Sequence, residues 1–261
     1  MCQFKSGIIL KTRCVVAQGA DDSHTKLLEE LNIDDTRENA MRKFVRVELV
    51  PPKGEWWTDP DTWKIKVDQD ITPDWFETDK EKYLDEFRRA VKEWWNVHVF
   101  VEKKIEELSS GYYRLKRCEV KKLIKDVQAM LDNSTVQEML DNSTVQKMCG
   151  NSTVQKMCGN STVQEMCGNS TVQGMCGNST VQKMLGNSTV QKMLGNSTVQ
   201  EMWGNSTVQG MCGNSTVQGM WDNSTVQEMW GNSIARDYKN EKRKVIVGPN
   251  LEIVRFGEEN K

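Results

Sequence analysis

Few residues in this chain could do chemistry. Cys2 follows the initiator Met1. Removal of Met1 would leave an N-terminal cysteine whose own α-amine can act as its base; the plainer reading is a cysteine at the start of an edge strand. Asp59, Asp61, Asp68, Asp70 and Asp74 crowd around Trp63 and Trp75. Carboxylates at that density can hold a divalent cation, and they equally suit loops and a helix start. The two histidines, His24 and His98, show no spacing that would set one beside a nucleophile. There is no phosphate-binding P-loop and no dinucleotide-binding glycine pattern. An enzyme built from this chain would use Cys2 or the Asp68, Asp70 and Asp74 cluster, within residues 1–120.

The chain has eight cysteines, and five of them (Cys149, Cys158, Cys167, Cys176, Cys212) share one position of a nine-residue repeat. Zinc sites use cysteine pairs about two to four residues apart, and no such pair exists here. These cysteines read as small apolar fillers interchangeable with Leu and Trp, and neither a metal nor a cofactor is expected.

The repeat organises everything after residue 120. Asn-Ser-Thr-Val-Gln recurs every nine residues, eleven times, from Asn133 to the copy that begins at Asn223. Ile124 to Asp132 is a degenerate first unit and Asn232 to Asn240 a degenerate last one. Gly or Asp followed by Asn-Ser supplies turn chemistry, and Thr-Val-Gln favours extended chain. A short period joining a turn to a strand marks a β-solenoid, and Gly-Asn in every unit excludes a continuous helix.

The sixth position sets the coil. It varies among Glu, Lys and Gly, and stacked rungs lie about 4.8 Å apart, so like charges should not stack. With two units per coil, the stacked charges are Glu138–Lys156, Lys147–Glu165, Glu165–Lys183 and Lys183–Glu201, all opposite. One unit per coil stacks Lys147 on Lys156; three units stack Glu138 on Glu165. Two units per coil, and six to seven coils in all, are therefore expected.

Val and Met never vary in the complete units, yet they are three apart, so strict alternation cannot bury both. A bend or bulge near Gln would reconcile them. The alternative turns Thr, Gln and Met inward and Val outward; the first is preferred because both walls of the interior must be apolar. The eighth position takes Leu, Cys or Trp, a spread of volume that a close-packed interior rejects. It is expected at the surface. It could present Trp203, Trp221 and Trp230 as anchors for a partner, or be a position of neutral drift, or pack against the tail.

Before the repeat the texture is mixed. Phe4–Lys11 and Cys14–Ala17 read as a hairpin. Ser23 or Asp22 can cap a helix through Leu31, and residues 32–40 read as irregular. Val45, Val47 and Leu49 alternate with Arg46 and Glu48, a strand with one buried and one solvated face. Trp63–Val67 alternates likewise. Thr72-Pro73-Asp74 starts a helix that runs to about Trp95, with a restart at Asp79. Val97–Val101 reads as a strand and Lys103–Leu108 as helical. In the tail, 244–247 and 251–256 read as two strands around a turn.

The formal net charge is -2. Residues 124–231 hold five lysines against eight acids, too little basic charge for a nucleic-acid groove and too little acid for a phosphate mimic. No targeting segment or membrane span is visible, so a cytoplasmic location is expected.

The opening Met1-Cys2-Gln3-Phe4-Lys5-Ser6, the strand Phe44-Val45-Arg46-Val47-Glu48-Leu49, and Val67-Asp68-Gln69-Asp70 with Pro73-Asp74-Trp75 resemble an uncharacterised family of gut bacteria and their phages. Members of that family couple such a domain to Asn-Ser-Thr-Val arrays. The resemblance covers most of the chain and implies no activity or site residue. The period is also similar to that of calcium-binding nonapeptide β-rolls, but the turn Asp of that motif is missing here. Gln3 and Phe4 likewise replace the glycine and isoleucine that follow Cys in N-terminal-nucleophile amidotransferases.

The expected architecture is an α+β domain over 1–123, a parallel β-solenoid of nine-residue repeats, two per coil, over 124–240, and a C-terminal β cap over 241–261. The expected function is non-enzymatic binding or scaffolding, presenting a patterned solenoid surface to a protein partner, without nucleic acid or membrane.

Overall fold

The computed structural model describes residues 4–19, 21–109, 112–238, 244–248 and 252–255. The chain divides into two compact units, Met1–Phe100 and Val101–Lys261.

In the first unit, apolar alternation builds a four-stranded antiparallel sheet. Its strands are β1 (Lys5–Leu10), β2 (Arg13–Val16), β3 (Phe44–Val50) and β4 (Lys64–Val67), in the order β2-β1-β3-β4. Helix α1 (His24–Glu30) is capped by Ser23, whose hydroxyl accepts from the Lys26 amide. Helix α2 (Arg37–Arg42) corrects the irregular segment expected at 32–40: Thr36 caps it through the Asn39 amide, and it buries no side chain, so it has no apolar stripe to read. Helices α3 (Asp74–Thr78) and α4 (Lys80–His98) follow, interrupted at Asp79 as expected.

The sheet is covered on both faces. On one, Tyr83, Phe87, Val91 and Trp94 of α4 pack on Ile9, Val45, Val47 and Leu49, with Trp56, Trp63 and Phe76 in the same core. Ile8 and Phe44 point to the other face, against Leu27 and Leu28 of α1. The solvated face expected for β3 is therefore a second interior, and Glu48 is buried in it. Gly7 is glycine because α4 crosses β1 there: a Cβ would collide with the Phe87 ring. Lys5, fully buried, lies 2.7 Å from the Asp22 carboxylate and under the Trp94 ring, which supplies the countercharge and π-face that a buried ammonium needs.

The solenoid occupies residues 99–237 in about eight turns, with a spacing of about 18 residues. Its first strands precede the eleven complete units: β5 (Val99–Val101), β6 (Lys104–Leu108), β7 (Tyr113–Lys116) and β8 (Glu119–Leu123), then β9 (Val127–Leu131) in the degenerate first unit. Residues 103–108, expected as helix, are thus a rung. Leu108 stacks in register on Leu123, and Glu107 on Lys122, so non-repeat sequence meets the same demands as the repeat. Eleven Thr-to-Met strands follow, β10 (Thr135–Met139) to β20 (Thr225–Met229), and then β21 (Ile234–Asp237). Even-numbered strands β6 to β20 form one parallel wall and odd-numbered strands β5 to β21 the other.

Register is letter on letter. In β12 and β14, Thr153 faces Thr171, Val154 faces Val172, Lys156 faces Gly174, and Met157 faces Met175; Gln is skipped. Val and Met are both fully buried in the coils between β10 and β18. The chain alternates inward at Ser and Val, then changes phase through Gln to bring Met inward. The inward serines were not foreseen: Ser134 to Ser233 are at most 1% exposed. Ser134 and Ser152 donate to the carbonyl three residues back at 2.8 Å, and Ser224 does so at 2.6 Å. At these three positions the bond satisfies a hydroxyl at a dry corner, whereas other inward serines, such as Ser161 and Ser170, have no hydrogen-bond partner for theirs among the described residues.

The turns stack as tightly as the strands. Gly177 has φ +67°, and a Cβ on it would lie 2.9 Å from the Gly159 carbonyl oxygen. Both backbone hand and space therefore call for glycine. Beside it, asparagine amides bond from coil to coil in two ladders, as in Asn151 to Asn133 and Asn160 to Asn142, at 3.1–3.4 Å throughout. In the tail, β22 (Lys244–Val247) and β23 (Glu252–Arg255) are the two strands expected of a cap. They extend the odd wall, antiparallel to β21 and to each other, while β20 ends the even wall.

Candidate functional site

The four opposite-charge pairs expected at the sixth position all stand in register. Lys147 Nζ lies 2.8 Å from Glu165, and Lys183 Nζ lies 3.5 Å from Glu201. The eighth position lies just outside each Met and forms two columns of part-exposed side chains.

On the odd wall the column runs Leu131, Cys149, Cys167, Leu185, Trp203, Trp221, Tyr238. Cys149 and Cys167 are joined by a disulfide, their Cα atoms 4.8 Å apart. This corrects the reading of these cysteines as fillers: residues 18 apart in sequence are lateral neighbours in the ladder. Trp203 and Trp221 stack at 4.5 Å with their planes 6° apart, and Tyr238 continues the stack at 5.3 Å from Trp221. Trp203 Nε1 donates to Glu201 at 3.1 Å. Trp221 lies over Gly219, where a Cβ would strike its indole.

On the even wall the column runs Leu140, Cys158, Cys176, Leu194, Cys212, Trp230. Leu194 and Trp230 are 43% and 50% exposed, the two large hydrophobic side chains of the solenoid that stand furthest into solvent among the described residues. They border a groove of about 650 Å³, with Gly210 and Cys212 between them and Lys192 and Glu228 at its ends. The missing side chain of Gly210 opens the groove. Glycine at the sixth position with Trp at the eighth, found at Gly219–Trp221, marks in sequence the indole that lies over a glycine on the odd wall.

The first unit carries an open cleft of about 780 Å³, bordered by Asp35, Arg46, Lys66, Asp68, Gln69 and Asp70. Near it, potential ligand atoms of His24, Glu48 and Asp68 fall within 4.8 Å of one another. The Lys66 ammonium lies 2.7 Å from Asp68 and 3.3 Å from Glu48, where a cation would bind both carboxylates. Its hydrogen bond holds Asp68 below the usual carboxylate range, and that bond in turn raises Lys66. His24 Nε2 lies 3.1 Å from the Val47 carbonyl oxygen and Nδ1 lies 3.6 Å from Asp68. Asp59 and Asp61 pair with Lys92 instead; a hydrogen bond from the Asp61 amide is the main cause of the lowered Asp59 pKa. The five acids expected as a group are thus dispersed: Asp70 lines the cleft and Asp74 begins α3. Cys2 lies outside the described residues. Among the described residues no helix is long and apolar enough to cross a membrane.

The fold makes this a β-solenoid protein with an α+β N-terminal region. Comparison of the chain with models of known families, with curated proteins and with solved structures finds no match.

Proposed function

We propose that this is a non-enzymatic binding or scaffolding protein whose solenoid presents its eighth-position columns to a protein partner. The observation that carries the reading is the even-wall groove, where Leu194 and Trp230 stand exposed around a glycine-floored depression. Large apolar side chains are costly to leave in water, and a rigid ladder holds them with little entropy left to lose on binding. Aromatic anchors set in a concave, rigid patch are the usual centre of binding energy at protein interfaces. Trp203 and Trp221 offer a second anchor on the odd wall, as a flat stacked surface.

Capture of partners on immobilised full-length protein tests the reading. The eighth position accepts Cys, Leu and Trp, so Trp230→Ser and the double variant Trp203→Ser, Trp221→Ser should both remain folded. Loss of a specific partner with one variant assigns the wall that binds it. If both variants retain every partner of the parent chain at the same level, the anchors do not bind and the reading fails.

A further inference from the structure

The two columns carry cysteines at matching heights. On the odd wall Cys149 and Cys167 are bonded. On the even wall Cys158 and Cys176 occupy the equivalent places, one unit later in sequence, with their sulfurs 3.0 Å apart. The flanking backbone holds that approach. Cys158 N donates to the Met139 carbonyl at 3.0 Å and Cys176 N donates to that of Met157 at 2.9 Å, while Met157 and Met175 face each other in the ladder. Cys212 has no such mate, because Leu194 separates it from Cys176 in the column. We propose that Cys158 and Cys176 are a second inter-coil disulfide site, closed by exchange with a small-molecule disulfide of the glutathione class, so that the oxidised protein carries one staple on each wall.

The chemistry balances in two displacements. One cysteine thiolate attacks the small disulfide, forming a mixed disulfide and expelling one small thiolate, which takes up a proton. The second cysteine then gives up its proton and attacks the cysteine sulfur of the mixed disulfide, expelling the second small thiol. Two cysteine thiols are oxidised and one small disulfide is reduced to two thiols. Burial, with the neighbouring Cys176 sulfur next in importance, pushes Cys158 up to about 11. An attack that begins at Cys158 is therefore slow near neutrality and faster in alkali, whereas the second displacement takes place between sulfurs that the ladder already holds together. In a reducing compartment both pairs stand as thiols, and in an oxidising one β11 is tied to β13 and β12 to β14.

Trypsin makes the site readable. Cleavage after Lys147, Lys156 and Lys183 leaves Cys149 on peptide 148–156 and places Cys158, Cys167 and Cys176 together on 157–183. The full chain is equilibrated with oxidised glutathione at mildly alkaline pH, alkylated, digested without reduction and weighed. The expected species is 148–156 joined to 157–183 with no alkylated cysteine, about 2 Da lighter than the same four-thiol assembly with a single disulfide before alkylation. Cys158→Ser should keep the two peptides joined and leave Cys176 alkylated. Cys149→Ser should release 148–156 and leave 157–183 with one internal disulfide. A joined species in which both Cys158 and Cys176 are alkylated overturns the proposal. So does separation of the peptides by Cys158→Ser, which would mean pairing between adjacent units, or the absence of any disulfide.

Discussion

Truncation of Val172 probes the inside of the coil. Val172 lies on β14, fully buried, between Val154 of β12 and Val190 of β16 in the ladder. Val172→Ala removes two carbons from a dry interior, about 1.6 kcal/mol at about 0.8 kcal/mol per buried methylene. The residual cavity adds to this, since a hydrogen-bonded ladder cannot collapse inward, for a total of about 2–3 kcal/mol. Gln173→Ala, one residue on and exposed, should stay within about 0.5 kcal/mol. Urea unfolding followed by circular dichroism reads both. Should the array unfold in pieces, hydrogen exchange will show the same loss as reduced protection in β12, β14 and β16. If Val172→Ala costs under about 0.5 kcal/mol while Gln173→Ala costs more than the valine change, the walls face the other way and the reasoning is refuted.

Gly177→Ala must adopt a left-handed backbone against the Gly159 carbonyl, and we expect a loss of about 1–2 kcal/mol or more in the same assay. Gly174→Ala, whose Cβ would meet nothing nearer than 3.7 Å, should be neutral or stabilising. Burial, reinforced by Glu86 against an opposing Arg89, pushes the Cys14 thiol up to about 11 from 9.0. Its thiolate at pH 8 is therefore about 100-fold scarcer than that of an unperturbed thiol, and iodoacetamide should label exposed Cys212 long before Cys14. A thiol pKa raised by folding contributes stability that is intact below the unfolded value and lost as pH rises from about 9 through about 11, so stability should fall along that alkaline limb.

Much of the solenoid was legible because stacking leaves marks on the sequence. The alternation of Glu and Lys at the sixth position specifies the coil, since like charges would otherwise sit one rung apart. The range from Cys to Trp at the eighth position marks a column at the surface rather than in the close-packed interior. What escaped notice lacks a local signature. The serines are polar and read as turn, yet they are small enough to face inward at the corner, where Ser134, Ser152 and Ser224 bond to the carbonyl three residues back. Strands β5 to β8 lie outside the repeat, but Glu107, Lys122 and Glu138 continue the alternation of the even wall. Cys149 and Cys167 look unrelated until a coil length makes 18 residues a contact distance. In the first unit, β3 looked half-solvated because its polar residues alternate, but Phe44 and Ile8 give the second face its own core with α1. The acid-rich stretch could be read as a ligand set or as loop and helix-start residues; Asp68 pairs with Lys66, two residues before it, and Asp59 and Asp61 pair with Lys92 of α4, which no local spacing connects to them.

The two-unit coil is tested most directly by charge-reversal cycles on Glu165. Lys147→Glu and Glu165→Lys, 18 residues apart and stacked, should each be destabilising and compensate in part when combined, since Glu165→Lys also meets Lys183, with a coupling of about 1 kcal/mol at low salt that fades at about 1 M. The corresponding cycle of Lys156 with Glu165, nine residues apart and on opposite walls, should show none. Coupling in the second cycle and not in the first would contradict the coil on which the solenoid's contacts depend.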